Sequence, residues 1–186
     1  MSEQNRTELL QVQDRSYMIG MIQQLEEEWF FIEEDEDQMV LLETLNTKEL
    51  EIFLEEKWQK AKLAANGKIK GPFGTHVIHE DDCFRMKKPL PYALDQMLQS
   101  LSDKTFEEFA KQLNSLGFSI FDCVYSYNQL LFLSRKKRKK GVSFFQFDNE
   151  EGICAVQHHF ERGTAEGDRF EFTTSFGKRA VLSYSA

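Results

Sequence analysis

Two prolines, Pro89 and Pro91, stand either side of Leu90 and divide the chain into two regimes of apolar patterning. Proline fixes its own φ and biases the residue before it away from the helical region, so no regular element runs through this point. Before it, apolar residues come in short strand-like bursts, and after it they recur at helical spacings of three and four. The spacing therefore predicts a tail or short helix over residues 1–15, a β-rich domain over 16–88 and an α+β domain over 89–186.

In the first half, Tyr17–Leu25 (YMIGMIQQL) and Trp29–Glu33 (WFFIE) read as a hairpin whose tip is acidic. Glu49–Glu55 alternates polar and apolar residues, and Asn66-Gly67 is a strong hairpin signal joining Lys60–Ala65 to Lys68–Lys70. With Val77-Ile78 and Cys83–Met86 these segments give five or six short strands, which bury themselves best as a bent sheet or small barrel. Seventeen phenylalanines suit such strand-rich interiors filled by few, large side chains.

After the prolines, Tyr92, Leu94, Met97, Leu98 and Leu101 share one helical face. Ser102 can cap a second helix carrying Phe106, Phe109, Ala110 and Leu113, which Gly117 stops. Ser119 can cap a third, in which Ile120, Val124, Tyr127 and Leu131 recur at helical spacing. Four strands follow: Val142–Phe147, Ile153–Phe160, Arg169–Thr174 and Lys178–Tyr184. The expected fold class is α+β, a β-rich N-terminal half followed by three helices packed on a four-stranded antiparallel sheet.

The segments LNSLGFSIFDCVYSYNQLLFL (Leu113–Leu133), FDNEEGICAVQHHF (Phe147–Phe160) and DRFEFTTSFGKRA (Asp168–Ala180) resemble a family of small uncharacterised proteins from Gram-positive spore-forming bacteria. The resemblance extends across most of the chain. It implies a cytoplasmic bacterial protein of unknown function and supplies no catalytic residue.

Charge is distributed unevenly. Residues 1–88 hold 11 Lys/Arg and 19 Asp/Glu, a net of −8, whereas residues 89–186 hold 12 of each. Against that background Arg135, Lys136, Lys137, Arg138, Lys139 and Lys140 form an uninterrupted basic run, a candidate anion-binding site. A nucleic-acid module usually carries a basic surface beyond one run, so the composition argues against a nucleic-acid partner and reads the run as a solvated loop. The acidic stretch Glu26–Asp37 lacks the ligand order of a calcium loop and reads as a solubilising margin of the first hairpin.

The other candidate chemistry is carried by histidines. His158 and His159 are adjacent on a strand, so their rings point to opposite faces and cannot share one metal. One of them joined by Glu171, or by Cys154, could form a polar site, either a partial metal site or an acid–base site. His76 and His79 (THVIHEDD) precede Glu80, Asp81 and Asp82 in a stretch whose glycines and β-branched residues indicate a loop entering a strand. Cys83, Cys123 and Cys154 are far apart and form no C-x-x-C pair, and the glycines match no nucleotide-binding motif. No cofactor or metal is therefore expected.

The N-terminal residues lack the pattern of a secretion signal, and no apolar stretch approaches the roughly 20 residues that cross a bilayer, so no membrane partner and a cytoplasmic location are expected. The leading functional expectation is a non-enzymatic protein acting through protein–protein contacts, with a protein partner or as a homo-oligomer. Two alternatives belong to other classes: a nucleic-acid-binding accessory protein using the basic run with Phe144, Phe145 and Phe147, and a hydrolase or metal-dependent enzyme centred on His158 or His159.

Overall fold

A computed structural model describes residues 3–33, 39–44, 50–64, 67–133, 136–163 and 166–185. Arg135, residues 34–37 of the acidic stretch and Asn66 of the predicted hairpin turn lie outside the described residues. The chain divides into two compact units, one formed by Tyr17–Lys88 and the other by Met1–Ser16 with Pro89–Ala186.

The described residues of the Tyr17–Lys88 unit form nine strands: β1 (Tyr17–Leu25), β2 (Glu28–Glu33), β3 (Met39–Leu41), β4 (Glu51–Leu54), β5 (Lys57–Lys60), β6 (Lys62–Ala64), β7 (Lys68–Gly71), β8 (Gly74–Val77) and β9 (Cys83–Lys87). Six of them form one antiparallel sheet in the order β3-β2-β1-β9-β4-β5, and β6-β7-β8 form a second. Ile22, Phe31, Leu42, Leu50, Ile52, Ile69, Phe84 and Met86 make the core, with Met18, Trp29 and Leu54 packed against it. Gly20 lies on the core-facing side of β1, where a Cβ would stand 2.0 Å from the Ile32 carbonyl oxygen. The two backbones approach there more closely than any side chain permits.

The second unit holds α1 (Glu3–Gln11), α2 (Tyr92–Ser100), α3 (Asp103–Ser115) and the strands β10 (Cys123–Tyr127), β11 (Lys139–Asp148), β12 (Ile153–Arg162), β13 (Gly167–Thr174) and β14 (Arg179–Ser185). The strands form a five-stranded antiparallel meander in chain order. Ser102 Oγ accepts the Thr105 N–H at 3.2 Å to start α3. Gly117, at φ +93°, ends it while the Phe118 N–H turns back to the Leu113 carbonyl. The apolar stripe between those caps, Phe106, Phe109, Ala110 and Leu113, packs with Leu94, Met97 and Leu98 of α2 against Phe145, Phe147, Val156, Phe170 and Phe172 of the sheet. Phe109 is the hub, with ring centroids 5.0 Å from Phe170 and 5.7 Å from Phe172.

Two arginines anchor the N-terminal segment. Arg6 donates to Asp103 Oδ1 at 2.6 Å and to the Leu98 and Leu101 carbonyls where α2 ends, the first of which also accepts the Leu101 N–H. Arg15 grips Asp122 with two bonds of 2.6 and 2.7 Å.

The α+β expectation fails. The described residues contain fourteen strands in three antiparallel sheets and only three short α-helices, so the protein is mostly β. The expected third helix is replaced by a single 3₁₀ turn over Ile120–Asp122, strand β10 and a second 3₁₀ turn over Gln129–Leu133. Ser119 does cap a turn, but Asp122 closes it reciprocally by accepting the Ser119 N–H at 2.7 Å. Cys123–Tyr127 then pairs with β11 and turns the expected four-stranded sheet into a five-stranded one. A helix here would have left that edge of β11 without its ladder. Among the described residues no helix is long and apolar enough to cross a membrane.

Candidate functional site

In the first unit the unusual surface is the face of the six-stranded sheet turned away from the core. Strand period puts Tyr17, Ile19, Met21, Gln23 and Leu25 of β1 on that face. The register then aligns Met39 of β3 with Ile32 of β2, Ile32 with Met21 of β1, and Met21 with Cys83 of β9. Four neighbouring strands thus present four apolar side chains in one row, where a sheet facing water would alternate with polar residues. Met21 and Met39 are 46% and 47% exposed. A second row, Leu41 with Phe30, flanks it, and Ile19 continues the stripe along β1.

Both margins of this stripe are charged. On one side Arg85 lies between the rings of Tyr17 and Trp58, 4.2 and 4.5 Å from their centroids, and is tied to Glu51 at 2.6 Å. Phe53 tilts on Trp58 at 5.1 Å and completes a packed aromatic–cation end. On the other, a cavity of about 300 Å³ opens beside Met21 and Cys83, lined also by Gly20, Glu80, Asp81 and Asp82. The exposed Glu26 and Glu27 form the tip of the β1–β2 hairpin.

His76 and His79 lie beside this region. Asp82 Oδ2 meets His76 Nε2 at 2.8 Å and accepts the backbone N–H of His79 at 2.8 Å, so one carboxylate pins the turn between β8 and β9. The two rings stand edge to face at 5.6 Å. Among the described residues no group of three or more His, Cys, Asp or Glu side chains is placed to hold a metal ion.

In the second unit, β12 sends its two histidine rings to opposite faces. His158 is wholly buried on the helix-covered face, stacked on Phe170 at 4.3 Å and 10°. Its Nε2 lies 2.7 Å from Asp168 Oδ1, which also accepts Arg162 Nη2 at 2.6 Å. Burial lowers the His158 pKa and the Asp168 bond only partly offsets this, so the ring is neutral at pH 7. Burial pushes the Asp168 carboxyl up, but the bonds from His158 and Arg162 outweigh it and hold the group below its usual range. A neutral imidazole facing a carboxylate must carry its proton on Nε2, which leaves Nδ1 among apolar neighbours without a hydrogen bond. His158 itself is sealed from solvent, whereas Asp168 is partly exposed and lines the cleft on this side of the sheet.

His159 faces outward. Its Nε2 is 3.3 Å from Glu171 Oε1, within ion-pair range but without hydrogen-bond geometry, and Arg169 Nη2 holds the same oxygen at 2.7 Å. A cleft of about 480 Å³ runs alongside, with Lys140, His159, Arg169 and Ser183 in its wall. Glu171 therefore joins His159 and Arg169 on one face, and His158 and Cys154 belong to the other. Burial pushes the Cys154 thiol up to about 11 and that of Cys123 up to about 12, so neither is a thiolate at neutral pH.

Of the basic run, Lys136, Lys137, Arg138 and Lys140 are exposed, while Lys139 and Lys140 already belong to β11 rather than to a loop. Lys140 pairs with Glu161 across the ladder at 3.1 Å. Strand alternation leaves Phe144 outward and drives Phe145 and Phe147 into the core, so only one of the three aromatics expected to stack on bases is available. The spacing of residues points neither to Asp168, one residue before the expected strand Arg169–Thr174, nor to the apolar outer face. The signal for that face is in YMIGMIQQL, where both strand registers are apolar instead of one.

The family described as a protein of unknown function, DUF2777, matches residues 4–184. The chain is 34% identical over 178 residues to the uncharacterized protein YisN of Bacillus subtilis strain 168, covering 95% of this chain and 90% of that relative. No solved structure matches it.

Proposed function

The chain belongs to the DUF2777 family of unknown function, and from that premise we propose that it works without catalysis, through protein–protein contacts made on the outward face of its six-stranded sheet. The row Met39, Ile32, Met21, Cys83 carries this reading. Contiguous exposed apolar patches mark interaction sites on soluble proteins, whereas singly scattered apolar residues do not. Methionine suits such a surface, because its flexible thioether adapts to a partner's shape. The polar alternatives offer less. His158 is sealed, and His159, Glu171 and Arg169, beside the cleft of the second unit, are held to one another as ion pairs. A cytoplasmic location goes with this reading, supported by three widely spaced cysteines without a C-x-x-C pair.

A photo-crosslinking amino acid placed at Met21 or Met39, and for comparison at Val181, tests the proposal in cells of the chain's own source organism. Discrete adducts to protein from the two methionine positions and none from Val181 are expected. Equal labelling from all three positions, or none at all, overturns it.

A further inference from the structure

We propose that the partner seated on this face is a basic, amphipathic polypeptide segment, one that lays apolar side chains along Met39, Ile32 and Met21 and places its cations over the cavity edged by Glu80, Asp81 and Asp82. The inference rests on the protein-contact reading above and adds the partner's chemistry. Two independent observations meet in it. The stripe is apolar across four strands and calls for an apolar counterpart. The unit that carries it is strongly acidic, with 9 Lys/Arg against 16 Asp/Glu over residues 17–88.

The charges are also placed usefully. Arg85, the cation nearest the stripe, is already satisfied by Glu51 and two aromatic rings, so it adds little free positive field. Lys60 stands beyond Glu51 in the same row, away from the methionines. At the opposite margin Glu80 and Asp81 are exposed, and the Glu26-Glu27 tip closes the end of the hairpin. Asp82 is half-buried and occupied with the His76–His79 turn, so the exposed pair carries the attraction. An acidic partner would be repelled along that margin, and a purely polar basic chain would leave the methionines wet. An amphipathic cationic segment satisfies both, because its anchors recur on one face and its charges on the other.

The full chain is titrated with a fluorescent synthetic leucine–lysine amphipathic peptide, with its leucine–glutamate counterpart and with oligolysine. Binding of the leucine–lysine peptide alone is expected, weakening as ionic strength rises. Met21→Lys should weaken it by at least about tenfold, and Glu80→Gln with Asp81→Asn by several-fold, while Val181→Lys changes nothing. Both test sites are exposed, and circular dichroism verifies that the variants fold. Equal binding of the leucine–glutamate peptide, or indifference to the Glu80/Asp81 change, overturns the basic-partner inference. If no peptide binds but sedimentation shows the protein alone self-associating, with Met21→Lys making it monomeric, the partner is a second copy. That result sinks this inference and leaves the protein-contact reading standing. No peptide binding, no self-association and no crosslink from Met21 or Met39 sinks both.

Discussion

His158 Nε2 and Asp168 Oδ1 meet at 2.7 Å beneath the helix-covered face of the C-terminal sheet, with the ring stacked on Phe170. The pair makes folding sensitive to pH in a direction that can be worked out. In the unfolded chain the imidazole takes up a proton near its ordinary value of 6.5, and in the fold burial lowers that value. Between the two the unfolded chain binds more protons. The stability owed to the neutral buried ring is therefore complete above pH 6.5 and lost as pH falls toward the lower folded value, at up to about 1.4 kcal/mol per pH unit. Asp168, held below its ordinary 3.8, is lost only at still lower pH. Urea titrations at several pH values should show the slope below 6.5, and His158→Phe should flatten it.

Asp122 is buried and joins Arg15 to the turn that starts β10, while also accepting the Ser119 N–H. Asp122→Ala strands a buried N–H and releases the N-terminal segment. A loss of about 2–3 kcal/mol is expected by urea denaturation. Arg15→Ala should cost less, because Asp122 keeps its bond to the Ser119 backbone. Equal losses from both changes would show that the Arg15 contact carries the whole effect.

Phe109 touches three sheet phenylalanines, and Phe109→Ala should cost about 3–5 kcal/mol. Both tryptophans, Trp29 and Trp58, lie in the Tyr17–Lys88 unit. If the two units unfold separately, the mutation moves the circular dichroism transition of the helices and leaves the tryptophan fluorescence midpoint in place. A fluorescence midpoint that shifts by the same amount would mean one cooperative molecule.

Glu55 and Glu56 join β4 to β5 with φ of 51° and 62°, two consecutive non-glycine residues in the left-handed region. That geometry is the two-residue hairpin turn that prefers Asn-Gly. Replacing the pair by Asn-Gly should raise stability by about 1 kcal/mol, read from the tryptophan signal. Unchanged or reduced stability would mean that the glutamates make compensating contacts at this turn.

Replacing Lys136, Lys137, Lys139 and Lys140 with glutamine should leave folding within about 1 kcal/mol of the parent, since the Lys140–Glu161 pair is exposed. Only weak nucleic-acid binding, confined to low salt, is expected before the change. Sub-micromolar RNA or DNA binding near physiological salt, abolished by the replacement, would make the basic run the functional site.

Local chemistry in the sequence accounts for much of this molecule. The caps at Ser102 and Gly117 and the stripe of α3 at spacings of three and four are readable because a helix satisfies its own backbone. The placement of His158 and His159 on opposite faces follows from strand period alone. Elsewhere the chain was ambiguous. Cys123–Tyr127 carries apolar residues that suit either period, and it became a strand because β11 offered an open ladder beside it. The Glu55-Glu56 turn bears no turn signature, and the register of the sheet forces its backbone. Asp168 found His158, and Met21 found Ile32 and Met39, only through the pairing of strands. A strand's side chains are set two by two along the chain, but which residues lie beside them is decided across it, where no local spacing reaches.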